Sequence, residues 1–193
     1  MDRRGGEVVD RLDPPTPLNR CMPGFVDLME GRYEAAATAY EDMYRMDPGS
    51  PFSAITLGWV LTSAGRTGEA LDVLDRAAAD HPGTPFGTFA TSLGHGLRGE
   101  PARALQDLGP LEEAARENEM FARLLTHCLA QAGARDAALE SLERTVRLGL
   151  LNEPFLARHD RLLDGLRDDP RFARLMARAR ERLEALGPVA RPR

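Results

Sequence analysis

Few residues of this sequence are spaced as a catalytic or cofactor-binding site would require. Residues 94–99, with the sequence GHGLRG, have the glycine spacing of a dinucleotide-binding loop, which cradles a pyrophosphate at the start of a helix. That loop follows a strand, whereas the residues before Gly94 have the apolar spacing of a helix. We therefore interpret residues 94–99 as a helix end and a turn, and we predict that the protein binds no cofactor.

The titratable side chains also lack a catalytic or metal-binding arrangement. The four histidines do not match a metal-ligand spacing; they are His81, His95, His127 and His159. The neighbouring acids at 112–113 and 168–169 point to different helix faces, and we interpret residues 159–160 as a polar loop. The chain has no lysine, which excludes a Schiff base and a Gly-Lys-Ser/Thr phosphate loop. We predict that the protein is not an enzyme and has no catalytic or metal-binding residues.

A period of 34 residues organises most of the chain. Loop-type glycines recur at this spacing, and an alanine follows each of them by five residues: Gly31, Gly65, Gly99 and Gly133, then Ala36, Ala70, Ala104 and Ala138. Residues suited to capping a helix N-terminus recur in the same register: Thr16, Ser50, Thr84, Asn118 and Asn152. A proline follows the first three, and proline is favoured at the first helical position. A period of this length is typical of stacked helical hairpins.

On these residues the chain resembles the tetratricopeptide repeat family, in its bacterial form with a C-terminal capping segment. Besides the loop glycines and alanines, the match is carried by Gly24, Gly58, Pro48, Pro82 and the column Tyr40, Leu74, Leu108 and Leu142. The strongest stretch is 31–36, with the sequence GRYEAA, and the resemblance covers residues 13–152. It implies an all-α fold: a right-handed superhelical solenoid of antiparallel helix pairs.

The period also predicts how the chain is divided. We expect an N-terminal remnant of an incomplete repeat at 1–16, because the chain either comes from a longer array or begins inside a repeat. Four repeats follow at 17–50, 51–84, 85–118 and 119–152, then capping helices at 153–187 and a disordered tail at 188–193. In the cap, Asp169 and Pro170 begin a helix whose apolar stripe is Phe172, Leu175, Met176, Ala179, Leu183 and Leu186. Gly109 and Pro110 should interrupt the second helix of the third repeat.

The resemblance implies that the first helix of each repeat lines a concave groove. It places nine residues towards that groove: Cys21, Phe25, Ile55, Trp59, Phe86, Phe89, Leu93, Arg123 and His127. Most are apolar, which suits an amphipathic helix or an extended apolar peptide, although each could equally serve only to pack neighbouring helices. We predict a non-catalytic protein–protein interaction scaffold. The alternative is a regulatory segment that belongs to or partners a larger bacterial signalling protein, such as a kinase, a cyclase or a transcriptional regulator.

Charge and composition narrow the possible partners to proteins or peptides. The formal net charge of −5 argues against nucleic acid as the main ligand. No apolar run reaches the length of a membrane span, and the N-terminus lacks the apolar core of a signal peptide. We therefore expect a cytoplasmic protein without a membrane partner. Cys21 and Cys128 are predicted three repeats apart, too far to form a disulfide. The sequence leaves the oligomeric state and the partner's identity open.

Overall fold

Helices are the only regular elements in the computed structural model, which describes residues 17–186, with side chains from residue 21 onward. Its elements are α1 (Pro17–Met29), α2 (Tyr33–Met46), α3 (Pro51–Ser63), α4 (Thr67–Asp80), α5 (Pro85–Leu97), α6 (Pro101–Ala104), α7 (Gly109–Ala114), α8 (Glu119–Gln131), α9 (Arg135–Leu148), α10 (Glu153–Arg158), a 3₁₀ helix (Arg161–Leu166) and α11 (Pro170–Ala185). The remnant predicted at 1–16, with the predicted helix cap Thr16, and the tail predicted at 188–193 lie outside the described residues, as does residue 187 at the end of the predicted capping helices. None of the described helices is long and apolar enough to span a membrane.

Consecutive helices pack as antiparallel hairpins, which confirms the predicted all-α solenoid. Helix α1 pairs with α2, α3 with α4, α5 with α6 and α7, and α8 with α9. The first helices also stack on each other, α3 on α5 and α5 on α8. They begin at residues 17, 51, 85 and 119, which keeps the spacing of the sequence period. The exact division into four repeats and a cap stays a prediction.

The ends of the helices confirm the predicted caps and turns. Side-chain oxygens of the predicted capping residues accept backbone N–H groups of the first helical turn; the caps are Ser50, Thr84, Asn118 and Asn152. The four loop glycines have φ angles of +77°, +79°, +71° and +72°. A side chain in this left-handed conformation costs about 1–2 kcal/mol, so glycine sets the tight reversal in each hairpin.

Small residues allow the paired helices to approach closely. A Cβ atom on Gly58 would lie 2.6 Å from Cδ2 of Leu74, and one on Gly24 would lie 2.5 Å from the Cβ of Ala39. The four alanines of the period have no exposed surface. Larger side chains fill the space one turn later, as with Leu74, which is fully buried.

The third hairpin departs from the others where the sequence predicts an interruption. Its second helix stops at Ala104 and resumes at Gly109, with Asp107 between them in the left-handed region at φ +53°. Pro110 thereby occupies the first turn of α7, where a missing N–H removes no helical hydrogen bond. Buried Ser92 donates a hydrogen bond of 2.7 Å to the Ala104 carbonyl, which the interrupted helix leaves without its usual partner.

Helix α11 closes the array against α9 and α10. Its cap is Asp169, as predicted, and the first part of its apolar stripe is buried, from Phe172 to Ala179. The prediction is wrong for the end of the stripe, because Leu183 and Leu186 are 47% and 73% exposed. Arg182 donates to the Val146 carbonyl near the end of α9, so the last turn of α11 extends past the helix it packs on.

Enlarging an alanine at a close helix contact should destabilise the fold. Ala70 has no exposed surface, so Ala70→Leu must displace its neighbours and should lower the free energy of unfolding by about 1–3 kcal/mol. The control is Arg174→Ala on exposed α11 surface, which should change it by less than about 0.5 kcal/mol. Urea titrations followed by circular dichroism would measure both. Equal unfolding midpoints would contradict the assigned helix register.

Acid should weaken the cap of α11. The Arg171 guanidinium and the Arg171 backbone N–H hold the pKa of Asp169 well below its usual range. A depressed folded-state pKa contributes stability above the ordinary aspartate pKa of about 3.9, and that stability is lost as the pH falls. Thermal melts at pH 6 and pH 3 should therefore show a larger loss of stability for the wild type than for Asp169→Asn. Asp72→Asn, a change of an exposed aspartate, should keep the wild-type pH dependence.

Candidate functional site

The predicted groove residues form two rows across the stacked first helices. The first row contains Cys21, Ile55, Phe89 and Arg123, and the second row, one helical turn later, contains Phe25, Trp59, Leu93 and His127. Phe86 precedes the first row on α5 and packs on Phe121 of α8, with ring centroids 5.3 Å apart. Each row repeats at 34-residue spacing, and the stacking of α3 on α5 and of α5 on α8 joins the last three members of each row.

Most of the predicted groove surface is covered. Fully or almost fully buried members of the two rows are Cys21, Ile55, Trp59, Phe89, Leu93 and His127. Arg123 and Phe86 are partly exposed. Phe25 is 37% exposed, which makes it the most accessible apolar member of the rows. Burial of Trp59 and His127 requires a cover, and the C-terminal part of the same chain supplies it.

Residues 152–166, which we call the groove segment, run across the ends of the first helices. Phe155 packs edge-on against Trp59, with ring centroids 6.1 Å apart. The 3₁₀ helix of the segment packs against α8, α3 and α9. The buried apolar residues of the segment are Phe155, Leu156, Leu162, Leu163 and Leu166. The segment therefore meets the groove as an apolar peptide would, although it belongs to the same chain.

Side-chain hydrogen bonds join the groove segment to three hairpins, two of them through the segment's backbone. Gln131 at the end of α8 donates to the Leu162 carbonyl at 2.9 Å. Tyr33 at the start of α2 donates to the His159 carbonyl, also at 2.9 Å. From the segment side, Arg161 donates to the carbonyl of Ser63 at the end of α3 at 3.0 Å, and its guanidinium lies 4.3 Å from the Tyr33 ring centroid. These bonds join residues 31 to 126 positions apart in the chain.

The centre of this contact is polar. His127 Nε2 and Asp160 Oδ2 share a hydrogen bond of 2.8 Å, and neither side chain has exposed surface. The His127 ring lies 5.5 Å from the Trp59 ring, and the Arg123 guanidinium lies 4.6 Å from the same ring on the groove side. A histidine and an aspartate that are buried together must pair, because either one alone would be an uncompensated polar group in an apolar contact.

Hydrogen bonding at this centre is incomplete. Among the described residues, four buried side-chain atoms have no hydrogen-bond partner, and all four belong to this cluster: Trp59 Nε1, Arg123 Nε, His127 Nδ1 and Asp160 Oδ1. An unsatisfied buried polar atom costs about 1–3 kcal/mol. The apolar contacts stabilise the docked position of the groove segment, whereas the four atoms without partners destabilise it.

Sequence reasoning missed the groove segment because its residues lie outside the period. The interpretation of residues 159–160 as a polar loop is wrong for Asp160, whose side chain is buried against His127. The available signal was five large apolar residues between 155 and 166 in a stretch that was expected only to cap the array. That spacing indicates burial, but it does not indicate which surface buries the residues.

The remaining candidate chemical sites have structural explanations. Residues 94–99 form the end of α5 and the following turn, and a Cβ on Gly96 would lie 3.0 Å from the Gln131 Cβ, so this glycine allows α5 to pack on α8. A helix C-terminus presents carbonyl groups and does not favour phosphate. The described part of the chain contains no cluster of three or more potential metal ligands. Cys21 and Cys128 are buried thiols, and burial raises the pKa of Cys128 to about 12.

The arginines of α11 are largely neutralised by neighbouring acids. Arg171 forms ion pairs with Asp136 and Asp169, and Arg178 pairs with Glu143 on α9. The pairs with Asp136 and Glu143 join α11 to α9, whereas the pair with Asp169 lies within the N-cap of α11.

Comparison with known proteins agrees with the hairpin architecture. The tetratricopeptide repeat family model matches residues 27–86, which run from the end of α1 through α2, α3 and α4 to the start of α5. No curated protein matches the chain. Repeats of this family generally mediate protein–protein interactions, which supports a scaffold role. The family match at residues 27–86, together with the stacked hairpins, supports a tetratricopeptide repeat protein.

Proposed function

We propose that this chain is a non-catalytic protein–protein interaction scaffold that binds a helical or extended apolar peptide segment on its concave face. The observation that carries the proposal is the groove segment: Trp59 of the second row packs on an apolar stretch whose backbone is held by side chains of two hairpins. A surface that accommodates such a stretch from its own chain has the shape and polarity to accommodate one from a partner.

The exposed end of the two rows is where a partner segment would make its first contact with the protein. Phe25 occupies the position of Trp59 one repeat earlier, and it is 37% exposed. Met22, one turn before it on α1, is 47% exposed. Large apolar side chains commonly carry a large share of interface energy, so this end of the groove is where a partner segment would gain contacts without displacing anything.

Removing the exposed aromatic ring should separate binding from folding. Phe25→Ala should weaken partner binding at least about ten-fold, equivalent to ~1.4 kcal/mol, and should lower the unfolding midpoint only slightly because the ring is already partly in water. The matched control is Leu105→Ala, which truncates an apolar side chain of similar exposure, 41%, directly after α6 and away from the two rows. Quantitative affinity capture from the source cell, followed by mass spectrometry, would compare the two variants with the wild type.

A partner retained by Leu105→Ala and lost by Phe25→Ala would support the groove as the binding surface. Equal recovery from both variants would refute it. Recovery that collapses with added salt in all three proteins would indicate a charged surface instead, since contacts on an uncharged apolar row are little affected by screening.

A further inference from the structure

We infer that the groove segment is an intramolecular ligand, and that the partner competing with it carries the same chemistry: an aromatic residue that packs on Trp59 and, five positions later, a carboxylate that pairs with His127. The inference rests on the proposed function and specifies the partner that the groove fits. Phe155 and Asp160 set the pattern, because they are the groove segment's contacts with these two groove residues.

The segment is held in the way that a bound peptide is held. Phe155 inserts its ring against Trp59, and the segment's own carbonyls at residues 159 and 162 accept hydrogen bonds from Tyr33 and Gln131. Contacts to backbone carbonyls do not depend on the side chains of the segment. Another chain with a suitable aromatic residue and carboxylate could therefore make the same bonds.

The charge of the groove selects an acidic partner. His127 and Arg123 are the groove residues that flank Trp59, and both present ring or guanidinium nitrogens, of which His127 Nδ1 and Arg123 Nε have no hydrogen-bond partner. A carboxylate oxygen can only accept hydrogen bonds, so it complements the Arg123 guanidinium, which only donates, and the His127 Nε2–H group that pairs with Asp160.

The groove segment competes with a partner segment for the groove because a short linker connects the groove segment to α9. Residues 149–152 contain no helix and include Gly149 at φ +127°, so the segment is joined to the groove's last hairpin by a short irregular linker. A ligand on a short linker has an effective concentration of the order of millimolar. A partner segment must compete against this effective concentration. Substitutions that weaken the contacts of the groove segment should therefore raise the affinity of the groove for a partner segment.

The experiment uses the full chain and a fluorescent peptide with the sequence of residues 152–167 as the probe. Fluorescence anisotropy would give its affinity for the wild type, for Asp160→Asn and for the double variant Phe155→Ala, Asp160→Asn. The control is Asp164→Asn, which removes a carboxylate of the same segment that is exposed and pairs with Arg167. We expect the double variant to bind the peptide at least about ten-fold more tightly than the wild type and the control do.

The peptide itself tests the role of the carboxylate. A peptide with asparagine in place of the aspartate at position 160 should bind the double variant about ten-fold more weakly, and this difference should disappear when His127→Gln is added to the chain. If the double variant does not fold, as judged by circular dichroism, Asp160→Asn alone carries the test, since it keeps the size of the side chain. It should then bind the peptide about three-fold more tightly than the wild type.

Trp59, the only tryptophan of the chain, reports the state of the groove independently. It is 2% exposed, so its emission should shift to longer wavelength in Asp160→Asn and in the double variant, which we call the loosened variants. The emission should return to the wild-type wavelength when the peptide binds. Folded loosened variants that bind the peptide no better than the wild type, or equal binding of both peptides, would overturn the inference. The proposed function is judged separately by the loss of a partner on Phe25→Ala, which can succeed even if the peptide result is negative.

Discussion

The close approach of paired helices at small residues is the constraint on which the rest of this structure depends. At Gly58 a single added carbon would meet Leu74 at 2.6 Å, and Ala70 on the opposing helix has no exposed surface. Helices that come this close must be joined by a tight turn, which a glycine at positive φ supplies, as at Gly65. Each hairpin built in this way leaves its outer faces apolar. The next hairpin must cover these apolar faces, so the array consists of hairpins that each bury a face of their neighbour.

Stacking buries the faces between neighbouring hairpins, but it does not by itself cover the second row. The second row would present Trp59 and Leu93 to water across neighbouring hairpins if nothing lay on it. Burying a large apolar side chain is worth about 1.5–3 kcal/mol, so the row has a strong tendency to acquire a cover. The groove segment provides one, with Phe155 against Trp59. The stability of the array and the accessibility of the second row are therefore opposed. A partner that binds there, as we propose, would gain only the difference between its own contacts and those that it replaces.

The features that could be predicted from the sequence are those that depend on residues close together in the chain. Caps such as Ser50, turn glycines such as Gly65, and the break before Gly109 each depend on residues within one turn of the chain, and the structure confirms them. The filling of the groove depends on contacts such as Arg161 with the Ser63 carbonyl, which are 98 residues apart and have no periodic signal. Family resemblance placed the groove residues on the first helices, but it could not indicate which of them the chain's own C-terminal part would bury. The exposed end of α11 was missed for the same reason, because a stripe of apolar residues does not show where the neighbouring helix ends.

The buried pair of His127 and Asp160 explains why the segment occupies one register. Apolar contacts tolerate sliding, because a leucine shifted by one turn meets a similar surface. A carboxylate with no exposed surface has no such freedom, since the unpaired acid would remain buried without compensation. Replacing buried polar pairs with apolar residues is often neutral or stabilising in other proteins, so the pair contributes more to specificity than to affinity. The same reasoning would apply to the partner proposed above: the apolar rows would supply affinity for many segments, and His127 would favour the one that places a carboxylate five positions after its aromatic ring.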